Sequence, residues 1–125
     1  MPGAPIDWKT MRAKVGPYPP EAYEFVQRGL AHTAQIVHGE KDVDDNRHVS
    51  GQQLCLGLKD FAIKQYGLLA RTVLNRWNIQ RTDDFGRIVF GMIDQGLMRK
   101  TDEDTIDDFR GVYDFGEVFA EPEHV

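Results

Sequence analysis

Between Pro20 and Ile93 the apolar residues return every three or four positions, in runs separated by glycines and short polar stretches. That spacing commits the chain to helices. At 100° per residue, Tyr23, Val26, Leu30, Ala34 and Val37 form one stripe, widened by Ala22, Phe25, Gly29 and Ile36. A helix over about 20–37 follows. Pro20 suits its first turn because the missing N–H has no partner there, and Glu21 and Glu24 favour the positive end of the helix dipole. Gly39 offers a stop, and the polar face holds Glu24, Arg28, His32, Gln35 and His38.

The flanking segments repeat this logic. Asp7 can cap a short helix carrying Trp8, Met11 and Val15, which Gly16 to Pro20 ends. Ser50 and Gln53 match a capping box that starts another helix, with Leu54, Leu58, Phe61 and Ala62 on its main apolar face. Leu56 and Ile63, seven apart, fall on nearly the opposite side, so either both sides are buried or one awaits a partner. Beyond Gly67, a helix over about 68–77 turns Leu69, Ala70, Val73, Leu74 and Trp77 inward.

After a turn at 78–81, Thr82 can cap a helix on which Phe85, Ile88, Val89, Met92 and Ile93 point one way. Asp84, Arg87, Gly91 and Asp94 point the other way, and Gly96 fits the stop. Residues 97–100 read as a strand, and the alternation of Phe109, Gly111, Tyr113 and Phe115 as its hairpin partner. Thr101 with Asp104 alternatively caps a short helix bearing Ile106 and Phe109, and Gly116 onward looks frayed.

The order helix, four-residue turn, helix, hairpin is that of a winged helix-turn-helix. Its charge is wrong for DNA. Residues 102–125 hold Arg110 against nine acids, and the connector carries Asp102, Glu103, Asp104, Asp107 and Asp108 with no base. At a Debye length of about 8 Å, salt does not remove repulsion between such groups and a phosphate backbone in contact with them. One basic stripe opposes this reading: Lys59, Lys64, Arg71, Arg76 and Arg81 face only Asp60 across residues 59–81. Arg71, Arg76 and Arg81 are the candidate phosphate contacts, against an ordinary solvated helix face or a stripe masked by the acidic end.

Metal and catalytic motifs fail on spacing. Asp42, Asp44 and Asn46 match the first three ligands of an EF-hand loop, but Arg47 stands where glycine must turn and Gln53 where a bidentate glutamate must close the site. His32 and His38, six apart, lie about 120° from one another around a helix, and His48 and His124 add no ligand spacing. Cys55, the only cysteine, lies between Leu54 and Leu56 and reads as a buried thiol rather than a nucleophile activated by His48. No phosphate-binding glycine loop is present, and no cofactor is expected. With one cysteine, no secretory segment and no apolar run near the ~20 residues of a membrane span, the expectation is a cytoplasmic protein without a membrane role.

The segments "HVSGQQL", "GLLARTVLNRWNI", "RTDDFGRIVFGMIDQGLM" and "KTDEDTIDDFRGVYDF" occur in an order that resembles a small uncharacterised family described from planctomycete and verrucomicrobial bacteria, over about residues 18–119. The resemblance implies no activity and transfers no site residue. The combined expectation is one mainly helical domain over residues 1–119, with a winged-helix-like C-terminal half and an acidic flexible tail over 120–125. Its expected role is a non-enzymatic interaction or regulatory module, with a protein partner or second copy on the Leu56 and Ile63 face. The alternatives are nucleic-acid binding through the basic stripe and a small metal protein or enzyme built on the 42–53 loop.

Overall fold

A computed structural model describes residues 6–39, 48–100 and 104–119. Helix α1 (Trp8–Lys14) starts where the Asp7 carboxylate accepts the backbone N–H groups of Lys9 and Thr10, at 3.1 and 3.2 Å. Helix α2 (Pro20–His38) begins on the expected proline and ends at Gly39, whose φ of 68° suits a residue without a Cβ. Helix α3 (Gly51–Tyr66) opens with both arms of the capping box in place: Ser50 Oγ accepts from Gln53 N–H, and Gln53 Oε1 accepts from Ser50 N–H. These three starts follow local chemistry.

The next segment differs from expectation. Residues Gly67–Leu69 make a 3₁₀ turn, and only Ala70–Arg76 continue as helix α4, so Leu68 and Leu69 stay exposed while Ala70 and Leu74 are buried. The following turn passes through Asn78 at φ 65°, a left-handed conformation that asparagine tolerates. Its side-chain amide donates to the Pro17 carbonyl at 2.6 Å, and Ile79, within the expected turn at 78–81, is fully buried. Helix α5 (Thr82–Asp94) follows.

Among the described residues there is no strand. Residues 97–100 run irregularly, and the expected hairpin partner is a 3₁₀ turn at Ile106–Phe109 followed by helix α6 (Phe115–Val118). The short-helix alternative for this segment holds as a 3₁₀ turn capped by Thr105 and Asp108. The end is not frayed at Gly116, because Phe115 and Phe119 are both buried and their rings meet edge to face at 5.1 Å. Thr101, Asp102, Glu103 and the acidic tail at 120–125 lie outside the described residues, as do residues 42–47, the half of the 42–53 loop that holds Asp42, Asp44 and Asn46.

Helices α2 and α3 pack along one another, α5 lies against both, and the 3₁₀ turn at Ile106–Phe109 presses onto α5 and the start of α3. Phe85, Leu58, Leu74, Ile88, Met92 and Met11 are among the large side chains fully enclosed between these elements. Each contributes about 1.5–3 kcal/mol of transfer free energy before ordering costs are counted. No helix among the described residues is long and apolar enough to cross a membrane.

Candidate functional site

Helix α5, the would-be reading helix, is enclosed on almost every side. Thr82, Asp84, Phe85, Gly86, Ile88, Val89, Gly91 and Met92 are buried, and only Arg87 and Asp94 are fully exposed. Asp84 and Gly91, expected to face outward, point inward instead. Asp84 accepts the Tyr18 hydroxyl at 2.5 Å and the backbone N–H groups of Gln80 and Arg81 at 2.8 and 3.1 Å. Burial, reinforced by the Asp84 hydrogen bond, raises the Tyr18 pKa well above its ordinary value.

Thr82 likewise is not a cap. Its hydroxyl donates to the Phe109 carbonyl at 2.6 Å and accepts from Val112 N–H at 3.0 Å, tying α5 to the C-terminal segment. A helix that reads a nucleic-acid groove needs a solvated stripe of donors. Helix α5 has none.

On the opposite flank, the apolar stripe of α2 leads into open space. Tyr23 and Val26 are buried against the core, but Leu30 and Ala34, two turns along the same stripe, are only half-buried. They line a cavity of about 490 Å³ whose other walls are Val49 and Leu54 of the α3 start, Val89, Phe90 and Ile93 of α5, and Met98 and Phe109. The mouth is polar. His48 Nε2 lies 3.0 Å from Asp104 Oδ1, and His38 Nε2 lies 2.7 Å from the His48 carbonyl. Arg99 shares the rim and, among the described residues, has no ion-pair partner.

A second feature is the outer side of the α2 and α3 pair. His32 Nε2 sits 2.8 Å from Asp60 Oδ2, while Gly57 backs onto Thr33 and Gly29 onto Leu58 and Phe61, so the helices run antiparallel. Along α2, Ile36 follows His32 by one turn, and along α3, Leu56 and Ile63 lie one turn to either side of Asp60. These three are 59%, 51% and 42% exposed. The two-sided reading of α3 thus resolves into one buried face and one uncovered face. Leu68 and Leu69 continue the exposed apolar run past the helix end.

The basic residues do not form an equally free surface. Arg71 is half-buried, and its guanidinium approaches Gly116 and the Asp114 carboxylate region of the C-terminal segment. Arg81 borders a depression shared with Asp83, Asp114 and Glu117. Arg76 is exposed, and Lys64 lies 3.9 Å from Asp60. The acidic end therefore reaches part of the stripe, the masking arrangement raised by the charge pattern.

The remaining candidates are accounted for by packing. Cys55 is fully buried, burial pushes its thiol up to about 12, and its carbonyl accepts the Tyr113 hydroxyl at 2.5 Å. His48 pairs with Asp104 rather than with Cys55. No group of three metal-ligating side chains comes together among the described residues.

Sequence reading missed the cavity, although its signal was present: the α2 stripe is longer than the core it meets. Compared with known protein families, with curated proteins and with solved structures, the chain matches none.

Proposed function

We propose that this protein is a non-enzymatic, cytoplasmic interaction module that pairs with a second copy of itself through the outer face of α2 and α3. The helix-turn-helix order of α4 and α5, winged-helix-like in outline, serves as its scaffold and not as a reader of nucleic acid. The observation that carries the reading is the exposure of Ile36, Leu56 and Ile63 on one face around the His32–Asp60 pair. An apolar patch rimmed by polar groups is characteristic of an interaction surface. A face of this kind on two antiparallel helices meets its own copy across a two-fold axis with like residues facing like.

Two arguments favour a protein partner over a polyanion: the enclosure of α5, and the acids set near Arg71 and Arg81. The test is molar mass in solution across a concentration series. The native chain should move from monomer to dimer, and Leu56→Asp combined with Ile63→Asp should remain monomeric with unchanged helical circular dichroism. A native chain that stays monomeric at the highest concentration, or a double variant that still dimerises, would remove the proposal.

A further inference from the structure

We infer that the cavity between α2, the start of α3 and α5 binds a small apolar monocarboxylic acid, with its carboxylate held by Arg99. The volume of about 490 Å³ lies within the roughly 300–1,000 Å³ of small-molecule sites. Its walls have the required character: Leu30, Ala34, Phe90, Ile93 and Met98 are apolar, half-buried and packed against the core from the cavity side. Filling the space would remove that surface from water.

The charge at the mouth selects the head group. Asp104 is engaged by His48 at 3.0 Å, whereas Arg99 on the same rim has no ion-pair partner among the described residues. Of these two charged groups on the rim, the one with no hydrogen-bonded partner among the described residues is therefore the Arg99 guanidinium. A guanidinium is suited to a carboxylate through two parallel N–H donors. An apolar cavity with one unmatched cation at its rim fits a molecule with a hydrocarbon body and one anionic end.

The experiment titrates the full chain with octanoate and, as the neutral counterpart of equal length, 1-octanol, reading heat by calorimetry and amide shifts by NMR. Octanoate should bind and shift the amides of Leu30, Ala34 and Phe90, and 1-octanol should bind about tenfold more weakly. Arg99→Gln should lower octanoate affinity about tenfold and leave 1-octanol unchanged. Ala34→Phe should abolish both. If that variant fails to fold, Ala31→Trp, an exposed rim position, should block entry without touching the core.

Absence of octanoate binding overturns the inference, as does undiminished octanoate affinity in Arg99→Gln. Shifts confined to the outer face of Leu56 and Ile63 would also overturn it, because they would locate the hydrocarbon on the other surface. The two proposals are separable, since Leu56→Asp with Ile63→Asp leaves the cavity intact.

Discussion

Helices α3 and α5 look alike as patterns, each with a strong apolar face and a back that carries charge, yet the structure treats their backs in opposite ways. The back of α5 is roofed except at Arg87 and Asp94. Tyr18 reaches Asp84, Val15 covers Gly91, and Phe109 covers Gly86. The back of α3 keeps Leu56 and Ile63 in solvent. What separates them is side-chain size. At Gly86 and Gly91 a Cβ would stand 2.8 Å from Phe109 Cβ and 2.5 Å from Val15 Cγ2, so the covering segments sit where only glycine leaves room. Helix α3 has its glycines at Gly51, under Asp108 and Phe109, and at Gly57, against Thr33 of α2, away from Leu56 and Ile63. A roofed back makes a scaffold, and an open back makes a surface.

Alkaline titration is expected to have the largest effect on this contrast. Burial raises the pKa of the Tyr18 and Tyr113 hydroxyls and of the Cys55 thiol, so the folded chain holds these protons longer than the unfolded chain. The Cys55 contribution is complete below about pH 9 and is lost as pH rises toward about 12, and the two tyrosine contributions decline from about pH 10 upward. Chemical denaturation should therefore show stability falling across that window, and a thiol reagent should label Cys55 only after unfolding. Flat stability there would mean that the inner side of α3 is not enclosed.

Roofing of α5 comes next in size. Gly86→Val should cost about 3 kcal/mol, because its new methyl groups meet Phe109 in a packed site. Asp84→Ala should cost about 2 kcal/mol, because it strands the Tyr18 hydroxyl and two backbone N–H groups, whereas Arg87→Ala on the exposed side should stay within about 0.5 kcal/mol. Equal costs for Asp84 and Arg87 would break the distinction between an enclosed and an open side. Urea melts measure all three.

A smaller change of opposite sign is expected at Tyr23, whose buried hydroxyl has no hydrogen-bond partner. Tyr23→Phe should leave stability unchanged or raise it by about 1 kcal/mol. The smallest effect belongs to the open face: Leu56→Ser should alter monomer stability by less than about 0.5 kcal/mol while weakening self-association. A large loss of monomer stability would show that Leu56 is covered within its own chain.

The parts of the fold legible in the sequence are those decided within a few residues. Asp7, Pro20, Gly39 and the Ser50–Gln53 box mark helix ends because a cap is satisfied by neighbours three positions away. The inner residues of α3 were legible as a periodic stripe, and so was the exclusion of Leu56 and Ile63 from it. The misreadings have a common cause in distant partners. Thr82 was read as a cap, but Phe109 and Val112 claim its hydroxyl from 27 and 30 residues away. Asp84 was read as solvent-facing, but Tyr18 lies 66 positions earlier. The alternation of Phe109, Tyr113 and Phe115 mimics a strand, although those side chains fold over α3 and α5 without a ladder.

By itself, then, the chain's order of residues determined that it is helical, where most helices begin, and which way their apolar stripes face, because caps and 3.6-residue periodicity act locally. Only tertiary packing decided that α5 would be closed, that α3 would stay open, and that the α2 stripe would run past the core into a cavity. Those outcomes depend on which segments meet across long stretches of sequence. Charge and apolar pattern are silent on that pairing until side-chain volumes are placed against one another.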